Sequence, residues 1–328
     1  MKLSHIATAS AVLALSAGAA FAQDRTDWPS SFTVGTASQG GTYFAYGSGW
    51  ANLVADELGL SGGGEVTGGP MQNMALVHTG QAAFGMTTMG PAAESRSGNN
   101  PIAPGLAMDN ACAMFPMYQT PFSVTALASS GIESISDIPA GARIGFGPAG
   151  STSDTYFPRM MTELGVEYDR RNGGWSDLGG QLQDGLLDVI AFAAGVPVPA
   201  VSQLEVQTDV NIIEFTAEEQ EQIMGAFPVA AFDIDADTYT TLEAPARSVS
   251  MWNFAIANCD LPASFVEAVV DVVMSDNERM VAIHRAARST LPSNWDKNTG
   301  VLPWHPGAAK WFTENAGATI PGDQIHGM

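Results

Sequence analysis

Small hydroxyl and glycine residues cluster ahead of helix-forming segments at three places in this 328-residue chain. Thr36, Ser38, Gly40, Gly41, Thr42 and Tyr43 fall within residues 33–43, TVGTASQGGTY. Ser151, Thr152 and Ser153 follow Gly147-Pro148-Ala149-Gly150, and Gly68-Gly69-Pro70 opens a short helix with Met71 and Met74. Glycine lets the backbone turn tightly and come close to a ligand. A helix start leaves its first N–H groups unpaired and carries the positive end of the helix dipole. Together with neighbouring hydroxyls, such an end can hold a carboxylate without any arginine. One such loop could be a plain connection, and Ser151 to Ser153 a plain N-cap. Three of them favour non-covalent capture of a small anion.

The residue types for covalent or acid–base chemistry are present but not arranged for it. Past the leader described below there are four histidines, His78, His284, His305 and His326. His78 is expected near a helix end, His284 on the surface in mid-helix, and His326 in the C-terminal tail. His305 precedes Pro306, the expected first residue of a helix, so it is read as a cap or as packing against Trp304. His-Glu-x-x-His, Gly-x-Ser-x-Gly and Ser-x-x-Lys are all missing. Glu218, Glu219 and Glu221 form a charged helix start. The alternating Asp233, Asp235 and Asp237 lack the glycine and closing glutamate of a calcium loop. No catalytic residue, metal or cofactor is therefore assigned. Cys112 and Cys259 could pair in an oxidising compartment or pack as buried thiols. Tyr43 and Tyr118 are candidates for a pocket wall. Arg143 is expected to point away, toward a sheet edge or an acidic neighbour.

The elements that would position these residues alternate between strand and helix. Strands are expected over 31–36, 82–87, 143–147, 187–193, 210–215 and 248–258. A long β-rich stretch over 112–128 is broken by Pro116 and Pro121. Helices are expected over 43–58, 70–79, 152–164, 262–274, 277–289 and 306–316. Thr216 and Glu219 form a capping box for another helix, ending at Phe227. This alternation means an α/β fold with largely parallel sheets. There is no low-complexity linker, so two lobes would have to share a chain that crosses between them more than once.

Residues 1–22 read as an export signal: Lys2, an apolar run from Ile6 to Leu15, and the small-x-small site Ala20-Phe21-Ala22. The run is shorter than the ~20 residues a bilayer span needs. Net charge is −21, from 34 acidic and 13 basic residues, which argues against nucleic acid and anionic membrane surfaces as partners. At 45% hydrophobic, the chain can bury a sizeable core.

Four passages in order resemble the solute receptors of the TAXI group of TRAP transporters. They are Gly35 to Tyr43, Thr67-Gly68-Gly69 with Asn73, Gly147 to Ser153, and Gly195-Val196-Pro197. A fifth, Pro303-Trp304-His305-Pro306-Gly307-Ala308, is similar to that family's C-terminal HPGA signature. The resemblance implies a type II periplasmic-binding fold: two α/β lobes, a hinge, and a ligand cleft between them. It implies lobe one from residues 23–122 plus 245–328 and lobe two from 123–244. It also brings Gly69, Asn73, Thr87, Thr88, Gly195, Val196 and Pro197 into the expected ligand site, and puts Phe227 near the cleft, with a core role equally open to it. The chain departs from many relatives at Pro70-Met71-Gln72-Asn73, at Thr87-Thr88-Met89 and at Gly150-Ser151-Thr152-Ser153, so ligand identity does not transfer. The implied function is a periplasmic receptor, expected to be a monomer. It would hand a dicarboxylate, 2-oxo acid or acidic amino acid to TRAP permease subunits in the membrane. A periplasmic enzyme using the same cleft, or a sensor module for a membrane kinase, are the alternatives.

Overall fold

The computed structural model describes residues 25–328; the export signal read in the sequence lies outside them. In chain order the first half contains β1 (Ser31–Gly35), α1 (Thr42–Leu58), β2 (Ser61–Glu65), α2 (Pro70–His78) and β3 (Phe84–Thr88). Then come α3 (Met89–Arg96), β4 (Ala111–Leu127), β5 (Ala142–Gly145), α4 (Thr152–Glu163) and β6 (Tyr168–Arg171). The second half contains α5 (Trp175–Gln183), β7 (Val189–Ala193), α6 (Pro199–Gln207), β8 (Val210–Ile213), α7 (Ala217–Ala226) and β9 (Ala230–Ile234). It closes with β10 (Ala246–Asn258), α8 (Ala263–Met274), α9 (Asn277–Ile283) and α10 (Pro306–Ala316).

Two long strands organise everything else. The sheet order is β2-β1-β3-β10-β4-β7-β5-β6, with β8 on β4 and β9 on β10. Ala111 to Pro121 of β4 pair antiparallel with β10, whereas Phe122 to Leu127 pair with β7 and β8. β10 likewise pairs with β9 over Ala246 to Ser250, and with β4 and β3 further on. Each strand therefore leaves one half-sheet and enters the other. At the change of partners the Phe122 N–H donates to the Ser248 hydroxyl (3.1 Å), which donates back to the Phe122 carbonyl (2.7 Å). A side chain thus replaces the ladder where the sheet divides. One core packs around the β2-β1-β3 half, from Trp50, Phe84 and Phe115 to Phe254 and Trp304. Two smaller cores cover the other half, around Phe122 and Phe157 and around Trp175 and Phe192. The result is a two-lobe α/β fold.

Pro116 and Pro121 do not interrupt β4, contrary to the sequence expectation. Register shifts opposite Trp252 to Ile256 accommodate the first, and Pro121 stands at the partner change, where its carbonyl accepts the Ala194 N–H at 3.3 Å. Strand β2, SGGGE, has no β-branched residue and was invisible in the sequence; its place comes from in-register pairing with β1. The helix expected over 277–289 stops at Ile283, and a 3-10 turn over Arg285–Ser289 follows. Cys112 and Cys259 are paired, which settles the alternatives left open for them.

Candidate functional site

A cavity lies between the lobes, with about 370 Å³ of space among its walls, partly open to solvent. One wall is Ala37, Gly41, Thr42, Tyr43, Gly69, Pro70, Thr88 and Thr120. The opposite wall is Pro148, Ser151, Thr152, Trp175, Ala193 and Ala194. The starts of α1, α2, α4 and α5 therefore reach the same space, joined by Thr88, the N-cap of α3, and no wall residue carries a charged side chain. Positive potential here comes from backbone dipoles.

The four starts differ. Gly41 is the N-cap of α1, in extended backbone, and no side chain caps the helix. Gly174 leaves α5 without a side-chain cap as well, though the Trp175 N–H donates to Ser38 Oγ at 3.4 Å. Ser151 caps α4, its hydroxyl accepting the Asp154 N–H at 3.1 Å. In α2 Pro70 has no N–H, and Met71 donates across the cleft to the Gly150 carbonyl (3.3 Å). The α1 end is thus the one most available to an anion, and α2 the least.

Hydroxyls form the second layer. Thr88 Oγ1 lies 2.7 Å from Thr152 Oγ1 across the cleft, 3.2 Å from the Tyr43 hydroxyl, and donates to Asn253 Oδ1 at 2.9 Å. Asn253 Oδ1 also accepts from Tyr43 (2.6 Å), and its Nδ2 donates to the Tyr118 carbonyl and to Thr120, each at 2.7 Å. A buried amide on β10 thereby fixes three hydroxyl groups of the cavity wall. Burial pushes the Tyr43 phenol up, so it stays a neutral donor.

Further bonds join the lobes around this space. Thr42 donates to the Gly195 carbonyl, and Ala200 N–H to the Gly40 carbonyl (3.0 Å). Arg159 and Tyr156 of α4 reach Glu94 of α3 at 2.7 and 3.1 Å. His284 Nε2 donates to the Pro197 carbonyl (3.1 Å) while its Nδ1 accepts from Ala286 N–H, which defines a neutral tautomer. Burial lowers its pKa accordingly. His284 is thus an interlobe contact rather than a mid-helix surface residue, because α9 ends just before it.

Of the expected site residues, Gly41, Thr42, Tyr43, Gly69, Thr88, Ser151 and Thr152 line the cavity. The others stand behind it or beside it. Thr36 donates to the Glu65 carbonyl (2.6 Å), and Asn73 to the carbonyls of Thr36 (2.8 Å) and Met86 (2.9 Å), so both fasten the loop. Ser153 bonds the backbone of Ala191 and Ala193 within lobe two. Thr87 is buried in β3, donating to the Thr88 carbonyl at 3.3 Å. Ser38, Gly40, Gly195 and Pro197 make the interlobe bonds described above. Val196, joined to Pro197 by a cis peptide bond, faces a second cavity.

Trp175, Thr120 and Asn253 were missed. Trp175 explains two of the glycines: a Cβ on Gly41 would sit 2.7 Å from its indole, and one on Gly147 2.4 Å. Those glycines make room for an aromatic wall, stacked on Phe192 with centroids 4.5 Å apart. The sequence held one signal for it, a tryptophan just after Gly173-Gly174. Tyr118 is buried behind the cleft, and Phe227 packs in the periphery of a lobe-two core. Arg143 forks onto Asp188 with bonds of 2.6 and 2.9 Å, as expected. Among the described residues, the side chains that could meet at a metal are Cys112, Cys259 and His326, but the two sulfurs are already bonded to each other.

The fold and the cleft define a two-lobe α/β protein with a cavity between the lobes. Residues 34–316 match the NMT1-like family, and the chain belongs to it. Among solved structures it is similar to MatC from Rhodopseudomonas palustris with bound malate: TM-score 0.58, 14% identity, covering 86% of this chain and 97% of that one. It is similar also to the periplasmic binding protein BugD (TM-score 0.56, 14% identity, 88% and 97% covered). A third is the alkanesulfonate-binding protein SsuA from Xanthomonas axonopodis pv. citri bound to MOPS (TM-score 0.50, 12% identity, 87% and 84% covered). At these identities the likeness is one of fold.

Proposed function

We propose that this protein is an exported solute receptor that captures a small organic anion between its lobes. Its lobes would divide near residues 122 and 245. It would deliver the ligand to membrane permease subunits and catalyse nothing itself. The observation that carries this reading is the meeting of helix starts from both lobes at one cavity whose walls hold hydroxyls and no charged side chain. A carboxylate placed there would accept from the unpaired N–H groups of α1 and from the Thr152 hydroxyl, and these donors come together only when the lobes are closed. Ligand binding would therefore favour closure. The ligand classes are dicarboxylates, 2-oxo acids and acidic amino acids; the malate bound to MatC is consistent with the first. The loop motifs support a TAXI-type TRAP system, and the leader supports a periplasmic location after cleavage near Ala22.

Mass spectrometry of small molecules released from the denatured protein should yield a carboxylate. A thermal-shift panel of the three classes should raise the melting temperature with at least one. No released acid, together with no stabilisation at millimolar concentration, would sink the reading.

A further inference from the structure

A second cavity lies on the flank of the hinge. Tyr118 and Gln119 of β4 line it, with Arg285, Ala286, Arg288 and Ser289 from the 3-10 turn. Val196, Phe232, Asp235 and Thr238 face them from the other lobe. Its free space is about 510 Å³. Two observations set it apart. Every other lysine or arginine among the described residues has a carboxylate, a backbone carbonyl or a ring as partner. Arg288 has neither an ion pair nor a hydrogen bond to its guanidinium, and its charge is felt only at a distance by Asp237, which Arg285 holds. In addition, the Tyr118 hydroxyl is buried and has no hydrogen-bond partner. An orphaned buried hydroxyl costs free energy unless something occupies its donor.

We infer that this cavity is a second ligand site, for a small monocarboxylate, distinct from the cleft. The Arg288 guanidinium fits a carboxylate in two-pronged fashion. Tyr118 supplies a neutral donor, since burial keeps its phenol protonated. Arg285 is already held by Asp237, so it frames the site rather than adding free charge. Asp235 on the opposite wall opposes a second negative charge. Phe232, Val196 and Ala286 offer an apolar face to a short aliphatic tail.

The site couples to the cleft because its walls come from both lobes. The Tyr118 ring also packs against Gly195, whose carbonyl accepts the Thr42 hydroxyl, and stands 6.5 Å from the Tyr43 ring. A bound monocarboxylate would hold the lobes together and tighten the cleft for its own ligand, and the reverse must hold equally.

The test uses acetate and butyrate as probes on the full mature chain, read by calorimetry and thermal shift. Wild type should bind butyrate at millimolar concentration and more tightly than acetate. Arg288→Gln, at an exposed position, should weaken butyrate about tenfold, the loss of one charged hydrogen-bonding partner. Tyr118→Phe should weaken it as well. The double variant Thr88→Val with Thr152→Val, which blunts the cleft, should keep most of the butyrate affinity. Equal binding by wild type and Arg288→Gln would overturn the proposal, as would loss of all butyrate binding in the cleft variant. Absence of binding up to about 100 mM would do the same. A failed search for a cleft ligand leaves these results untouched, so the two readings fail separately.

Discussion

Two helix starts carry family-like glycine motifs, and the structure uses them in opposite ways. At Gly41 the start of α1 has no side-chain cap and opens on the interlobe cavity. At His305 the start of α10 is sealed. His305 Nδ1 accepts the Gly307 N–H at 3.2 Å, and its Nε2 donates to the Leu261 carbonyl at 3.1 Å. Gly307 is required there because a Cβ would lie 2.0 Å from the Ala263 carbonyl oxygen. The C-terminal signature thus locks α10 onto the start of α8, while the N-terminal loop keeps its donors free. Glycine beside a helix start can mean close packing or ligand access, and only the neighbours decide which.

Substitutions should separate the two starts, one through stability and the other through binding. Gly307→Ala forces backbone apart and should destabilise the fold by about 3 kcal/mol or more in urea unfolding. Any folded fraction should bind the cleft ligand normally. A comparable loss should appear on acidification. Burial lowers the His305 pKa from its ordinary 6.5 to about 4. As pH falls through that interval the unfolded chain takes up a proton that the folded one refuses. Stability should therefore drop by about 3 kcal/mol between pH 6.5 and 4, and His305→Asn should flatten that slope. Buried His284 acts with the same sign, so the difference between the two proteins is the quantity to measure.

At the open start the effect should be on affinity. Gly41→Val lies in ordinary extended backbone, φ −95°, and its main obstacle is the Trp175 indole of the opposite wall, 2.7 Å from the added Cβ, so the cost falls on the closed arrangement of the lobes. Its side chain would strike Trp175 on closure and weaken the cleft ligand roughly 10- to 100-fold by calorimetry. Ser151→Ala tests the intermediate case. Loss of the α4 cap should cost about 1 kcal/mol in stability. A larger effect on binding than that of Gly41→Val would reverse the ranking of α1 and α4 as ligand donors.

Much of the site was legible because its signals are local. Glycine turns, N-terminal hydroxyls and the Thr216–Glu219 box act within a few residues, and the helices starting at Thr42, Thr152 and Ala217 lie within a residue or so of where patterning put them. Asn253 was illegible because its role depends on three partners, Tyr43, Thr88 and Thr120, on three other elements. His284 was misread because helix periodicity continues past the point where α9 stops, and what stops it is a contact with the other lobe.

The sequence by itself determined where α1, α2, α4, α7 and α10 begin and which of these starts follow glycine or hydroxyl residues, since these follow from backbone conformation and near neighbours. Only the tertiary structure decided that α1, α4 and α5 open on one cavity while α10 is closed by its own histidine. It also decided that Trp175 fills the space two glycines leave. The physical reason is that a helix start is available or blocked according to atoms brought against it by two strands, β4 and β10, that run through both lobes, and no local pattern records that approach.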